Sequence, residues 1–327
     1  MVPEKYVRLI VEMYKNVKTK VKSVAGMTED FDVRVGLHQG SALSPFLFNV
    51  VFDVLTEGVR RGVPWDIMYA DDVVLVGETK REVEERTEEW RAVLESRGMR
   101  ISRSKTEYLR MTDEDQVQDQ DGNRRSINLD GQPMNRTRDF RYLGSTVTED
   151  GNEELEVTRR IQAGWRNWRE VSGVLCDKRM PIKLKGKVYR TVVRPAMMYS
   201  LETVPLKKSN ERKMEVAEMK MLRWMSGVTR KDRIENEKIR GTVKVSKVSK
   251  KVQEARLRWF GHVVRREEES CERQVMDMEV DGTRRRGRPK LRWRDCVSAD
   301  CRDKNLDARA AETRTRWPRL IKNSDPV

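Results

Sequence analysis

Three stretches of the first hundred residues place apolar side chains at helical spacing. The first spans residues 3–24, and the second spans residues 44–58 with Ser44 as its expected N-cap. The third spans residues 79–98 and opens on a capping box. Between the first two, residues 31–40 alternate in polarity and end at a glycine, which predicts a strand that runs into a loop.

Two adjacent aspartates interrupt the apolar segment WDIMYADDVVLVGE. Residues 67–70 and 73–76 are apolar runs, and Asp71 and Asp72 separate them. Runs this apolar predict strands that pack on a core, and aspartate tolerates the backbone angles of a tight turn. We therefore predict a β-hairpin with both carboxylates at its tip.

Residues 99–150 show short strand patterns separated by turn signals. The pattern of residues 99–111 indicates a strand with a turn, and residues 112–125 have almost no apolar content, which predicts an exposed loop. The segment SINLDGQPM contains a D-G pair typical of a hairpin. The segment FRYLGSTVTEDG predicts a further strand that ends near Gly151.

After residue 151 the apolar period becomes helical. Four segments predict helices: LEVTRRIQAGWRNWREVSGVL, KLKGKVYRTVVRPAMMYSLE, RKMEVAEMKMLRWMSGV and EARLRWFGHVVRR. Their inner stripes are expected to include Trp165, Trp168, Tyr189, Met221 and Trp224. Trp165 and Trp168 could stack on nucleic-acid bases, but their spacing of three residues favours packing in a core.

The charge is distributed unevenly along the 327 residues. The net charge is +15, with −4 in residues 1–150 and +19 in residues 151–327, and six of the eight tryptophans lie in the second part. A basic half that carries aromatic residues indicates a polyanionic partner, most plausibly nucleic acid. Well-solvated amphipathic helices are the alternative interpretation.

The hydropathy argues against a membrane-spanning protein, and the cysteines argue against a disulfide-rich one. No apolar run approaches the roughly 18 residues of a membrane span. The four cysteines form no C-x-x-C pair, which favours a reducing compartment and incidental thiols. A zinc site built from His262, Cys271, Cys296 and Cys301 is the alternative, although the spacing matches no zinc-finger pattern.

The paired aspartates point to a hard cation. Adjacent carboxylates repel each other unless a cation lies close by, and Mg²⁺ prefers oxygen ligands from protein, water and phosphates. Such a site would serve phosphoryl transfer by two metal ions. A solvated turn between two core strands is the alternative.

Four ordered blocks resemble the palm of reverse transcriptases, and more narrowly the non-LTR (LINE-type) retrotransposon family. They are HQGSALSPFLFN, YADD, GMRISRSKT and FRYLG, which span Gly36 to Gly144. The C-terminal segments RLRWFGHVVRREEES and RRRGRPKLRWRDCV resemble the tail of the same elements. The resemblance therefore covers most of the chain.

This resemblance implies roles for individual residues. Asp71 and Asp72 match the metal-binding carboxylates, with Mg²⁺ or Mn²⁺ as the cofactor, and Tyr69 matches the aromatic side chain near the primer terminus. Gln39 and Gly40 match the loop under the incoming nucleotide and the template base.

Further matches concern the nucleotide phosphates and the primer. Lys105 matches a lysine near those phosphates, and as a catalytic residue it could neutralise or protonate the leaving pyrophosphate. The residues that match the primer-gripping hairpin are Phe140, Tyr142, Leu143 and Gly144. An exposed strand position for Lys105 and core packing for the hairpin residues are the alternatives.

The chain departs from the family at its first block. The resemblance implies a further metal-binding aspartate on a strand upstream of Gly36, and this sequence begins at a segment resembling the helix after that strand. Asp53 falls inside a predicted helix and is expected on its surface. Because two carboxylates on one turn cannot hold two metals from both sides, an N-terminally truncated chain is expected to polymerise little or nothing alone.

The segment RRRGRPK has three open interpretations. It contains the R-G-R-P core of an AT-hook, which lies in a narrow minor groove. A nuclear-localisation cluster and a solvated linker are the other two. The candidate nucleic-acid contacts in this segment are Arg284, Arg285, Arg286, Arg288 and Lys290.

Together these patterns predict an α+β fold in three parts. A partial reverse-transcriptase palm, an antiparallel sheet with packed helices, is expected over residues 1–150, a helical thumb-like region over 151–260 and a basic tail over 261–327. The implied activity is RNA-directed DNA polymerisation on an RNA template and a DNA primer or target with deoxynucleoside triphosphates. No membrane partner is expected, and the nucleus is the implied location, with the cytoplasm as the alternative. The rival hypotheses are a non-enzymatic nucleic-acid-binding remnant that acts through its basic half, and an unstable fragment without function.

Overall fold

The computed structural model describes residues 2–62, 65–111, 127–278 and 290–326. The chain divides into two compact units, which we call unit 1 (Met1–Ile101) and unit 2 (Ser102–Val327). The predicted mixture of helices and strands is confirmed in both. Within the described ranges every sheet has two strands, and β-strands pair antiparallel in all but one sheet.

Unit 1 combines three helices with three short hairpin-like strand pairs. The helices are α1 (Glu4–Tyr14), α2 (Ser44–Thr56) and α3 (Lys80–Ser96). The strands are β1 (Lys18–Thr19), β2 (Lys22–Ser23), β3 (Gly26–Met27), β4 (Phe31–Asp32), β5 (Asp66–Tyr69) and β6 (Asp72–Leu75). They pair as β1–β4, β2–β3 and β5–β6.

The core of unit 1 lies between α2, α3 and the β5–β6 hairpin. Phe52 of α2 is buried against Trp90 and Leu94 of α3, and Met68 and Val73 of the hairpin pack on this cluster. Full burial of one large apolar side chain contributes roughly 1.5–3 kcal/mol. This small cluster therefore holds the hairpin on one side.

The predicted helix over residues 3–24 is wrong in its second half. Helix α1 ends at Tyr14, Asn16 takes a positive φ of 52°, and Lys18–Thr19 pairs with Phe31–Asp32. The β-branched residues of the segment VKTKVKSV favour extended backbone, and strand pairing overrides the helical period there. The strand predicted from Phe31 onwards is correspondingly short.

Unit 2 begins with six short strands. They are β7 (Glu107–Leu109), β8 (Asn128–Leu129), β9 (Gln132–Pro133), β10 (Asn135–Thr137), β11 (Asp139–Tyr142) and β12 (Ser145–Thr148). The predicted D-G hairpin is confirmed: Asp130 and Gly131 both have positive φ and join β8 to β9. The segment predicted as one strand near Gly151 is instead the β11–β12 hairpin, because Leu143 and Gly144 also take positive φ and reverse the chain.

The described residues of unit 2 after β12 are mostly helical. The helices are α4 (Glu154–Glu170), α5 (Ser172–Leu175), α6 (Ile182–Val188), α7 (Arg194–Met198), α8 (Lys208–Met225), α9 (Asn236–Val243), α10 (Val248–Val264), α11 (Cys271–Asp277), α12 (Trp293–Asp303) and α13 (Trp317–Ile321). A π-helical turn over Tyr189–Val193 joins α6 to α7, and Ala308–Glu312 forms a 3₁₀-helix. The wide turn precedes Pro195, which has no N–H to continue the ordinary helical ladder.

The helical core of unit 2 confirms most of the expected inner positions. Trp168, Tyr189 and Met221 are buried, and Trp165 is partly buried against the same cluster. Trp224 contradicts the prediction, since 61% of it is exposed. The apolar period placed Trp224 on the inner stripe, but it lies in the last turn of α8 and is only partly covered. Its ring centroid is 4.9 Å from that of Trp168.

A buried ion pair crosses this core. Glu218 and Arg240 form a salt bridge, and Glu218 also accepts hydrogen bonds from the Tyr189 hydroxyl at 3.1 Å and from the Val248 amide at 3.1 Å. Burial raises the pKa of the Glu218 carboxyl, although Arg240 opposes this shift. The network ties the π-helical turn that begins at Tyr189 to α8, α9 and α10.

Candidate functional site

The aspartate pair lies at the tip of the β5–β6 hairpin. The strands pair with Tyr69 directly opposite Asp72, so Ala70 and Asp71 form a two-residue turn. Ala70 takes a positive φ of 53°, the sign expected at the first central position of a type II′ turn, where glycine is usual. The predicted tight turn is confirmed, with Asp71 in the turn and Asp72 at the start of β6.

The pairing register sorts the hairpin into two faces. Met68 and Val73 pack on the core of unit 1. Because side chains alternate along a strand, Tyr69 and Asp72 lie together on the opposite face. That face is open, since Tyr69 is 62% exposed and Asp72 is exposed.

Both carboxylates at the tip are available to a ligand. Neither the Asp71 nor the Asp72 carboxylate forms a hydrogen bond or ion pair with any residue in the described ranges, and both residues are exposed. Two adjacent oxygen donors held on a short turn suit a hard cation such as Mg²⁺, which takes few protein ligands and keeps several waters. The donor set therefore fits the expected metal.

A buried arginine holds the base of the same hairpin. Arg86 of α3 forms a salt bridge with Asp66 at the start of β5 and donates to the Val76 carbonyl, 2.7 Å away, beyond the end of β6. It also reaches the Trp65 carbonyl at 3.4 Å, and Asp66 accepts from the Arg61 amide at 2.6 Å. One side chain thus fixes both strands, and sequence reasoning missed it because an arginine in a charged helix normally lies on the surface.

The Gln39–Gly40 loop is anchored at its two sides. Gly40 takes a φ of 83°, and both loop residues are exposed. The Tyr14 ring stacks on His38 with centroids 4.4 Å apart, and the Ser44 hydroxyl donates to the His38 carbonyl at 2.5 Å. Ser44 is thus the first helical residue, and its hydroxyl closes the loop instead of capping α2 as expected.

Lys105 and the second candidate hairpin belong to unit 2. Lys105 is exposed and lies in a turn before β7. The alternative prediction, that Lys105 is an exposed strand residue, is therefore wrong about the strand. Phe140 and Tyr142 stack on β11 with ring centroids 6.2 Å apart. Leu143 and Gly144 form the tight turn to β12.

The tip of the β11–β12 hairpin is fixed to the helices. The Tyr199 hydroxyl donates to the Leu143 carbonyl at 2.9 Å, and Arg160 of α4 donates to the Gly144 carbonyl. The Ser145 and Ser200 hydroxyls are 2.8 Å apart. The turn backbone is therefore held rigidly, which suits a surface that positions a nucleic-acid strand.

Residues 2–147 match the family model for reverse transcriptase (RNA-dependent DNA polymerase). This match contains all of the candidate residues from Gln39 to Gly144, and it confirms the predicted resemblance to reverse transcriptases, whereas the narrower resemblance to LINE-type elements stays a prediction. A Caenorhabditis elegans protein described as transposon-derived is 23% identical over 273 residues, which is 79% of this chain and 91% of the relative. The reverse-transcriptase match thus covers unit 1 and the strands of unit 2, and the likeness to a transposon-derived protein extends over most of the chain.

The reverse-transcriptase match does not reach the basic tail. Arg284, Arg285, Arg286 and Arg288 lie outside the described residues. Lys290 is exposed, and its ammonium donates to the Asp150 carbonyl at 3.1 Å. Its predicted role in nucleic-acid contact stays a prediction.

The described ranges bear on two other kinds of feature, a metal site built from several side chains and a membrane span. There, no group of three or more His, Cys, Asp or Glu side chains could hold a metal ion. Cys176 and Cys271 are exposed, whereas Cys296 and Cys301 are buried. Within the same ranges, no helix has the length and apolar character that a bilayer crossing needs.

Proposed function

We propose that this chain is the polymerase part of a LINE-type retrotransposon reverse transcriptase, with the β5–β6 tip as its nucleotidyl-transfer site. The observation that supports this most strongly is the pair of exposed carboxylates at the tip of the β5–β6 hairpin, which have no partner in the described ranges and lie inside the reverse-transcriptase match. The substrates would be an RNA template, a DNA primer or target, and deoxynucleoside triphosphates. The nucleus is the proposed location.

In this proposal Asp71 and Asp72 hold Mg²⁺ or Mn²⁺. The bound cation would neutralise charge on the phosphates of the incoming nucleotide. Tyr69, on the same open face as Asp72, supports the primer terminus with its exposed ring. The Gln39–Gly40 backbone approaches the nucleotide closely, which glycine at a positive φ permits.

The residues of unit 2 would act on phosphate and primer. Lys105 is proposed to neutralise or protonate the leaving pyrophosphate through its exposed ammonium. Phe140, Tyr142, Leu143 and Gly144 are proposed to grip the primer. The stacked rings and the fixed turn carbonyls support that role.

The same geometry limits the activity of these 327 residues alone. Both carboxylates project from one turn, whereas two-metal transfer needs ligands that bridge the metals from both sides. We therefore propose that the chain alone incorporates nucleotides slowly, in single turnovers at most.

The test is template-primed incorporation with the full chain in excess over primer, in Mg²⁺ and in Mn²⁺. We expect extension by single nucleotides that Asp71→Asn and Asp72→Asn abolish. Asp53→Asn is the matched control, because Asp53 is an exposed aspartate of unit 1 paired with Arg60 at 2.6 Å. Rapid multiple-turnover synthesis would refute the proposed limit, and equal extension by wild type and Asp71→Asn would refute the site.

The charge asymmetry favours a second candidate function, that of a non-enzymatic nucleic-acid binder. The +19 charge of residues 151–327 would track phosphates with steep salt dependence. The same assay separates the two candidates. No extension by any variant, combined with salt-sensitive RNA binding that Asp71→Asn leaves unchanged, would favour the binder.

A further inference from the structure

Helix α10 contains the segment RLRWFGHVV and presents two chemically different faces. One face packs inward: Leu257 is fully buried, and the Phe260 ring lies 6.3 Å from that of Trp317. Gly261 faces the same tryptophan so closely that a Cβ there would collide with the indole ring. These residues are accounted for by packing.

The other face of α10 lines a cavity of about 600 Å³. Trp259 and His262, one helical turn apart, stack with ring centroids 5.3 Å apart and an interplanar angle of 26°. Arg258 lies beside them, with 64% of its side chain exposed. Packing alone does not explain two stacked aromatic rings and a guanidinium that face open space.

The opposite wall of the cavity is built from the end of α7 and the turn that follows it. It includes Met198, Tyr199 and Ser200. The Tyr199 ring is half exposed, yet its orientation is fixed by the hydrogen bond to the Leu143 carbonyl and by the Arg160 guanidinium, 5.1 Å from the ring centroid. The wall is therefore organised before a ligand binds, which lowers the ordering cost of binding.

The lining matches the chemistry of an unpaired nucleobase. Aromatic faces stack on bases of any sequence, and arginine contributes charge toward the phosphate and cation–π contacts. Glu202, which also lines the cavity, can accept hydrogen bonds from base amino groups. A volume of about 600 Å³ falls within the range of small-ligand pockets.

We propose that this cavity binds an unpaired nucleotide of a single-stranded nucleic acid, with its base stacked on Trp259 and His262 and its phosphate near Arg258. The +19 charge of residues 151–327 attracts a polyanion. The stacked rings favour a nucleic-acid strand over an acidic peptide, because carboxylate side chains offer no aromatic face to stack on them. The site lies outside the polymerase chemistry proposed for Asp71 and Asp72. Because Tyr199 and Ser200 also hold the tip of the β11–β12 hairpin, a strand bound here lies beside that turn.

The test is fluorescence anisotropy of the full chain with a short labelled oligonucleotide, in RNA and DNA forms, at fixed salt. Trp259→Ala should weaken binding about tenfold, whereas Trp259→Phe should retain most of the affinity because it keeps an aromatic face. Trp224→Ala is the control, since Trp224 is an exposed tryptophan on another helix and should bind like the wild type. Arg258→Ala should weaken binding more than Arg81→Ala, which removes an arginine with a similar helical glutamate partner.

An abasic oligonucleotide of the same length makes the test specific to the base. Trp259→Ala should leave affinity for the abasic strand unchanged, and thermal unfolding of Trp259→Ala identifies any loss caused by misfolding. Equal affinity of Trp259→Ala and Trp224→Ala for the intact oligonucleotide, or equal weakening of Trp259→Ala on both oligonucleotides, would overturn the proposal. The readout is oligonucleotide binding without added metal or deoxynucleoside triphosphates, so failure of the polymerase site does not alter this result.

Discussion

Replacement of Arg86 by alanine should release the β5–β6 hairpin from α3. Arg86 is 1% exposed, and its partner Asp66 has 2% of its side chain exposed, so the variant leaves a buried carboxylate without its counter-charge. The Val76 carbonyl also loses a hydrogen bond of 2.7 Å. Removal of one partner of a buried ion pair typically costs about 3–5 kcal/mol.

Native-state hydrogen exchange of the hairpin amides measures this loss directly. The Val76 amide donates to the Trp65 carbonyl at 2.7 Å and closes the hairpin at its base. A cost of about 3–5 kcal/mol corresponds to protection that falls by about two to four powers of ten. We expect this fall at Val76 and along β5 and β6.

Two further variants distinguish the effect of breaking the buried ion pair from the effect of removing a surface charge. Arg81→Ala on the same helix removes an arginine whose side chain is 87% exposed and paired with Glu85, and should leave protection close to that of the wild type, because water screens an exposed ion pair. The double variant Asp66→Leu, Arg86→Met should recover most of the loss, because neither charge is then left unpaired. Equal protection in Arg86→Ala and Arg81→Ala would refute the reasoning.

Three other predictions follow from single positions. Gly186→Ala should destabilise unit 2 by more than about 2 kcal/mol in chemical unfolding, because the new Cβ would collide with the Val243 carbonyl. The control is Gly241→Ala, at a helical position with open space around it, which should be neutral or stabilising. Similar effects of the two variants would contradict the packing of α6 on α9. Ala70→Gly should stabilise the hairpin by up to about 1 kcal/mol by relieving the positive φ, as measured by exchange, and a loss of protection would count against the turn. Burial raises the pKa of Asp325, but hydrogen bonds from Arg194 and from the Ser246 amide outweigh it and hold the pKa at about 2. This lowered pKa contributes stability above about pH 4, and that stability is lost as the pH falls toward 2. The difference in unfolding free energy between wild type and Asp325→Asn should therefore approach about 2 kcal/mol near neutral pH and shrink between pH 4 and pH 2. A difference that does not change with pH would contradict this prediction.

Local signals predicted the turns and helices whose determinants lie close in sequence. The alternation around Asp71 and Asp72 is decided within a dozen residues, as are the D-G turn at Asp130 and the helix that starts beside Pro45. In each case side-chain chemistry alone restricts the backbone.

Features that depend on distant partners could not be predicted in the same way. Arg86 is buried only because Asp66, twenty residues away, is buried beside it. Trp224 satisfies the helical period but lies at the edge of its helix, and the wall opposite Trp259 comes from Tyr199 in another helical segment. The period of one helix does not specify which neighbours cover it.

A divalent cation bound at the β5–β6 tip is central to the proposed function, and metal-directed cleavage of the full chain tests for it. Fe²⁺ in place of Mg²⁺, with ascorbate and peroxide, produces hydroxyl radicals that cut the backbone close to the bound metal. We predict cleavage within residues 69–73, lost in the double variant Asp71→Asn, Asp72→Asn and kept in Asp53→Asn. Cleavage elsewhere only, or equal cleavage in the double variant, would contradict the proposed site.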